Sequence, residues 1–386
     1  MSDKQIIETA DFNEAVKMLK KLVSVNTVNP PGNELSLQPI IKEAFDGLGA
    51  KMEIWEKKKG RANFIGKIGN GNPIVGFFPH LDTVPAGDGW KTDPFKPVVK
   101  NGRLYGRGSI DSKGNFVSSW LAIKTFLALN KKFKGTIYLV GCADEELGSE
   151  FGVKYLLEKG FKVDYAIVPD GGSIDKIIIG EKGALRLRIK SFGKQAHGST
   201  PERGINAIEH LIKLLHKINE IRFDQLKFHE LFTPVTKNIG VIKGGHAVNI
   251  VPAYAEAEID FRLPLGVNKR NVIDKIQQKV AGLEKEVKIE IEEFWSAEPH
   301  LTNVDSPLIQ AFLASVREAG LKMRVGTMGG ITDAKSLSGV GIDTLVHCLD
   351  DGSHGAHNAN EYVLLENIKI AANLYRLTLE KIFQVK

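Results

Sequence analysis

Residues 136–146 read TIYLVGCADEE, eight residues of little polar character followed by three acids in a row. An apolar run without polar alternation reads as a strand buried on both faces of a sheet. The acids then fall at the carboxyl end of that strand, the edge at which open α/β sheets carry their sites. Working outward, the same rhythm recurs. Strand-like runs lie at 51–56, 62–68 and 74–79, and a helix begins near Lys113 with Phe116, Trp120, Ile123 and Leu127 on one face. Another helix follows the acids and stops near Gly160, and further strands lie around 163–169 and 175–180. At the amino end, 11–24 carries apolar residues at helical spacing, and Asp11 with Glu14 three residues on suggests a capping box. Strands alternating with helices predict an α/β domain with a mostly parallel central sheet.

From about Gly183 the rhythm changes. A strand (185–192) precedes a helix starting near Gly204, with Ile205, Ile208, Leu211, Leu215 and Ile218 on one stripe. Strands at 238–243 and 254–262, a helix at 269–283 and a strand at 287–295 follow. The order β-α-β-β-α-β is the ferredoxin-like arrangement. Residues 300–386 then return to helix, strand and helix. The expected organisation is a catalytic domain formed by 1–183 and 297–386, interrupted by an α+β domain over 184–296.

Composition excludes several classes. With 386 residues, 42% hydrophobic and 25% charged, the chain is neither disordered nor fibrous. Cys142 and Cys348 cannot form a disulfide framework and suit a reducing compartment. The opening MSDKQIIETADF lacks the basic patch and apolar run of a signal peptide, and no stretch is apolar for long enough to span a membrane, so a cytoplasmic protein is expected. The net charge of +6 comes from scattered lysines, without a zinc-finger spacing or long basic block, which argues against nucleic acid as a partner.

The chemistry gathers at strand ends. IVGFFP runs into His80-Leu81-Asp82, where alternation puts the first and last side chains on one side. The glycine-rich turn GRGSIDSKG presents Asp111 before a helix, the central strand leads into Asp144-Glu145-Glu146, DYAIVPD ends at Asp170, and HGAHNANEY offers His354 and His357. Imidazoles and carboxylates together favour zinc or a similar divalent ion. His80, Asp111, Glu146, Asp170 and His357 supply two ligands per ion for a pair, plus one carboxylate spanning both. A water held between two such ions becomes hydroxide near neutral pH, with a pKa of ~7. It still needs an unligated carboxylate to move its proton, and Glu145 beside Glu146 provides one. Each element alone is weak; a lone H-x-D carries no specificity.

HLDTVPAGDGW (80–90), LYGRGSIDSKG (104–114), ADEELGS (143–149), VPDGG (168–172) with GEKG (180–183), and AHNANEY (356–362) resemble, in order, the signatures of the two-zinc hydrolases. That family includes acetylornithine deacetylase, succinyl-diaminopimelate desuccinylase, aminoacylase, carboxypeptidases and related dipeptidases. The resemblance implies His80 and Asp170 on one zinc, Glu146 and His357 on the other, and Asp111 bridging. It implies Asp82 orienting the His80 imidazole and Glu145 as general base, then acid. In the inserted lid, KQAHGST implies His197 as an oxyanion donor, commonly reaching into the partner subunit's site of a homodimer formed through the lid. HAVNIVPAYAEAEIDFRLP implies Asn249 and Arg262 holding the substrate's carboxylate, and GGITDAKSL implies a substrate-cradling loop with Gly330, Thr332 and Asp333.

The expected activity is hydrolysis of the amide of an N-acyl amino acid, of the acetylornithine or succinyl-diaminopimelate type, with two divalent ions. Zinc is favoured, while cobalt and manganese share these ligands. A dipeptidase or carboxypeptidase acting on short peptides is the alternative. Its support is Asp170 in VPDGG, where the deacylases commonly carry a glutamate in a GEP-type sequence, together with GWKTDPF (89–95). Those dipeptidases, however, have a much larger lid than the one expected here.

Overall fold

The computed structural model describes residues 7–130, 132–281, 287–353 and 355–385. His354 therefore lies outside the described residues, as does the end of the helix expected over 269–283. The chain divides into two units, one formed by Met1–Gly180, Thr302–Gly326 and Gly330–Lys386, the other by Glu181–Leu301 with Thr327–Gly329.

In the first unit the neighbouring strands run Lys51–Lys58, Arg61–Asn70, Gly135–Gly141, Ile74–Phe77, Tyr165–Val168, Asp343–Val346 and Lys176–Glu181. The four strands from Gly135–Gly141 to Asp343–Val346 pair in parallel. On either side of them the pairing turns antiparallel. The central strand over Gly135–Gly141 is buried along almost its whole length, as its unbroken apolar run requires. The helix Lys113–Leu129 packs against Thr9–Ser24 and Leu365–Ile382. Its buried residues surround it on all sides, so the one-faced stripe read from the sequence understates its burial. Within it Trp120 sends its indole N–H to the Ala44 carbonyl at 2.8 Å, which lets a large ring with a polar edge be buried completely.

Two local expectations change. The first helix starts at Thr9 behind Glu8, and no side chain caps it. Asp11 lies inside the first turn, and with Glu14 it pairs with Lys124 at 3.0 and 2.5 Å instead of closing a capping box. After the central strand the acids form only a short 3₁₀ turn, Glu145–Leu147, and the helix is the brief Val153–Glu158. Positive φ at Asp144, Gly148 and Ser149 breaks the segment that the sequence reads as one helix.

The second unit is a four-stranded antiparallel sheet in the order Thr236–Gly244, Tyr254–Leu263, Gly183–Phe192, Lys288–Ala297. With helices Ala207–Asn219 and Lys269–Val280 following the strands Gly183–Phe192 and Tyr254–Leu263 along the chain, this is the ferredoxin-like topology. Asn206 accepts the Ile208 and Glu209 amides, so the first helix begins there and not at Gly204. Asn268 and Asn271 form a reciprocal capping box on the second. Leu187, Leu211, Leu214, Ile259 and Phe261 sit in the core between helices and sheet. Each such side chain contributes roughly 1.5–3 kcal/mol on burial. Among the described residues no helix is long and apolar enough to cross a membrane.

Candidate metal centre

Five separated loops of the first unit converge. The parallel pairing of Ile74–Phe77 with the central strand continues as a single bridge, His80 to Cys142, and the Leu81 amide donates to the Cys142 carbonyl at 2.8 Å. That bridge fixes His80 beside the turn that carries Glu145 and Glu146. Asp111 precedes the helix Lys113–Leu129, Asp170 follows Tyr165–Val168, and His357 lies between Asp343–Val346 and Tyr362–Leu364.

Asp111 is the hub. One of its carboxylate oxygens, Oδ1, stands 2.8 Å from His80 Nε2, and the other, Oδ2, stands 3.0 Å from His357 Nε2. His357 Nε2 is also 3.2 Å from Glu146 Oε2. His80, Asp111 and Glu146 bring ligand atoms within 4.8 Å of one another, and so do His80, Glu145 and Asp170. All five sequence-selected ligands, with Glu145, therefore fall in one place. Asp111, Asp170, Gly171, Gly172, Asp350 and His357 line a cleft of about 290 Å³ there.

The charges are crowded. Burial pushes the Asp170 carboxyl up to about 8; Asp111, Glu146 and Asp333 add to the rise while His80 opposes it. Burial raises Glu145 well above the usual carboxylate range, reinforced chiefly by Asp170. Burial also acts on Asp111 and His80, but the bonds between imidazole and carboxylate prevail, holding Asp111 low and His80 well above the ordinary histidine value. The His357 imidazole, bonded first to Asp111 and then to Glu146, is pushed up to about 10. Carboxylates that repel each other this strongly when buried are the donor set that a divalent cation neutralises. Mixed imidazole and carboxylate ligands fit zinc-like ions, so the residues present suit a metal pair.

Behind the ligands lies a second layer of buried bonds. Asp82 is fully buried; its backbone oxygen stands 3.0 Å from His80 Nδ1 and its carboxylate 3.5 Å. The same carboxylate accepts the backbone amides of Glu145 and Glu146 at 3.1 and 3.2 Å, and the Asn29 side-chain amide at 2.8 Å. Burial opposes ionisation of Asp82, yet these bonds, led by His80, hold its carboxyl below the usual range. Glu361 and Arg107, which the sequence reading does not single out, hold the turn that carries Asp111. Glu361 accepts the amides of Ile110 and Asp111 at 2.9 and 3.2 Å and pairs with Arg107 at 2.6 Å. Arg107 also donates to the carbonyls of Pro85, Ala86 and His357. The available signal was position alone: Arg107 lies in GRGSID and Glu361 in AHNANEY, the stretches that supply ligands.

In the second unit, Ala196–His197 pairs antiparallel with Ile250–Val251, and the Gly198 amide donates to the Asn249 carbonyl at 2.8 Å. His197 and Asn249 are thereby neighbours, both exposed. His197 Nδ1 accepts the Ser199 amide at 3.1 Å, so the neutral ring carries its proton on Nε2. Arg262 pairs with Asp260 at 2.7 Å and donates to the Gly329 carbonyl at 3.1 Å. At least part of its fork is engaged within the sheet.

Of the loop 330–333, belonging to the first unit, Gly330 is exposed, whereas the expected substrate contacts at Thr332 and Asp333 meet side chains engaged within the protein. Thr332 caps the helix Asp333–Gly339 by accepting the Ala334 amide. Asp333 is buried and accepts the Ser149 hydroxyl at 2.5 Å.

Comparison with known proteins agrees with this geometry. Residues 76–381 match the pattern of peptidase family M20/M25/M40. The chain is 31% identical to an uncharacterized metallohydrolase of Methanocaldococcus jannaschii, over 95% of this chain and 99% of that one. It is 29% identical to a succinyl-diaminopimelate desuccinylase of Nautilia profundicola, again over 95% and 99%. Among solved structures, an M20 family metallo-carboxypeptidase from Sulfolobus solfataricus superposes with a TM-score of 0.78 at 22% identity, covering 97% of this chain and all of that one (100%). At that identity the likeness concerns the fold.

Proposed function

The chain belongs to the peptidase family M20/M25/M40, whose members cut amide bonds with metal ions, and from that premise we propose that it deacylates N-acyl amino acids. The observation that carries the reading is the Asp111 carboxylate, with one oxygen on His80 and the other on His357, inside a ring of further acids. His80 with Asp170 would hold one divalent ion and Glu146 with His357 the other, Asp111 touching both. Two such ions, zinc in this reading, supply Lewis acidity and make a bound water acidic enough to ionise near neutral pH.

The protein's own residues do the rest. Glu145, raised by burial and by Asp170, takes a proton from water and passes it to the departing amine. Asp82 fixes the ring of His80. His197 donates from Nε2 to the oxygen that gains charge at the scissile carbonyl. Asn249 and the remaining donors of Arg262 hold the free carboxylate of the substrate.

The choice of acyl amino acid is supported by relatives named succinyl-diaminopimelate desuccinylase, at 29% identity over nearly the full chain. The short Asp170 side chain in VPDGG favours the second reading, a dipeptidase or carboxypeptidase. A homodimer through the second unit and a cytoplasmic location complete the proposal; buried free thiols at Cys142 and Cys348 suit a reducing compartment.

A hydrolysis panel of N-acetylated, N-succinylated and unblocked dipeptide substrates, run on chelator-stripped and metal-reloaded protein, tests it. Turnover of a blocked amino acid only after reloading is expected. Cleavage restricted to unblocked peptides selects the second reading, and no amide cleavage by reloaded protein refutes both.

A further inference from the structure

Behind Asp82 a buried set of side chains runs away from the cleft to a single guanidinium. The two hydrogens of the Asn29 amide go to two different carboxylates, Asp82 Oδ2 at 2.8 Å and Asp144 Oδ1 at 3.0 Å. Asp144 Oδ1 also receives Arg61 at 2.9 Å, and Arg61 makes a paired contact with Glu34. All five residues are buried, with relative exposures of 0–3%. The amide oxygen of Asn29 has no hydrogen-bond partner among the described residues, so the side chain is held through its nitrogen alone. A reversed amide would put that oxygen against both acids.

Asp144 matters because it immediately precedes Glu145. It adopts a left-handed backbone at φ 65°, a conformation unfavourable for a residue with a side chain. Its carboxylate compensates by accepting Asn29, Arg61 and the Phe151 amide at 3.1 Å. Asp82, at the other end of the Asn29 bridge, accepts the amides of Glu145 and Glu146 and stands beside the His80 ring. The chain places Asn29 by backbone pairing: its backbone N–H donates to the Thr83 carbonyl at 2.8 Å, and Val28 bridges to Thr83 in parallel. Gly32, at φ +68°, leaves room for the Arg61 guanidinium, into which a Cβ at that position would run.

We propose that Asn29, backed by Arg61, is a positioning residue that ties Asp82 to Asp144 and so aims His80, Glu145 and Glu146 together. It touches neither substrate nor ion. The inference rests on the functional reading above only for the role of Glu145; the aiming of His80 can be read without turnover.

The test is a cycle of wild type, Asn29→Ala, Asp82→Ala and the double variant, each measured for cobalt(II) affinity and visible spectrum, and for kcat and KM. Asn29→Ala is expected to weaken cobalt binding about tenfold, within the range typical of residues that orient metal ligands. It should shift the cobalt spectrum and lower kcat about tenfold at unchanged KM. In the Asp82→Ala background the same substitution should change either quantity less than about twofold, because residues acting as a unit are not additive. Equal factors in both backgrounds, or a wild-type cobalt spectrum and kcat in Asn29→Ala, overturn the proposal. A purely structural role would lower the melting temperature alone. If Asn29→Ala does not fold, Asn29→Ser, which keeps one donor, replaces it in the cycle. If fully loaded wild type cleaves no amide, the functional reading fails while the cobalt measurements still decide this one.

Discussion

Metal uptake must expel protons, and the structure says from which groups. Three of the five proposed ligands have pKa values raised from their ordinary positions. His80 is raised well above the ordinary value by Asp111 and Asp82 despite its burial, and His357 is pushed up to about 10 by Asp111 and Glu146. Burial, with neighbouring acids, pushes Asp170 up to about 8. Asp111 is held low and stays ionised. A group can bind a cation only after losing its proton, so at pH 7 ions compete with protons on His357 and Asp170 at least. The sign follows directly: pKa values raised above the working pH mean bound protons, and affinity climbs as pH rises. The overall constant for two ions should grow about 10²-fold or more for each pH unit near pH 7, and more gently once Asp170 ionises near pH 8. Stripping the protein with a chelator and titrating cobalt(II) in buffers of different ionisation enthalpy counts the protons calorimetrically. About two or more per pair of ions is expected. Fewer than one, or a constant that is flat with pH, would falsify the proposed ligand set.

Further outcomes follow from the same geometry. Glu145→Ala should cost about 10²–10⁴-fold in kcat while metal content stays near that of wild type, checked by elemental analysis beside turnover. Asp111→Ala removes the carboxylate between His80 and His357, and should leave the protein short of metal in the same analysis. His197→Ala should lower kcat about 10²–10³-fold with unchanged metal and folding; an unaltered rate would remove it from the chemistry. Leu211→Ala, in the core of the second unit, should cost roughly 2–5 kcal/mol by denaturant unfolding.

The layout of the fold was legible because each strand of the centre is short, apolar and ended by chemistry-bearing residues. TIYLVGCA is buried along almost its whole length, and the ferredoxin-like order is carried by the succession of strands and helices that the second unit follows. The candidate ligands could be picked out for the same reason, since strand ends are local features. What the sequence does not display is long-range pairing. Arg107 meets Glu361 across 254 positions, and Arg61 meets Asp144 across 83, with no periodicity linking either pair. The first-turn acids Asp11 and Glu14 carry the spacing of a cap, but Lys124 on a neighbouring helix is the stronger attraction. At Thr332 and Asp333 family resemblance suggests ligand contacts, whereas the helix start and Ser149 engage those side chains. Local rules lose wherever a distant partner offers a better bond.

The chain leaves the first unit after Gly180 and rejoins it at Thr302, and the Thr302 amide donates to the Ile179 carbonyl at 2.7 Å. Exit and re-entry are thus joined by a backbone hydrogen bond beside the strand Lys176–Glu181. A segment of more than a hundred residues is grafted there like a cassette, without spreading the scaffold that receives it.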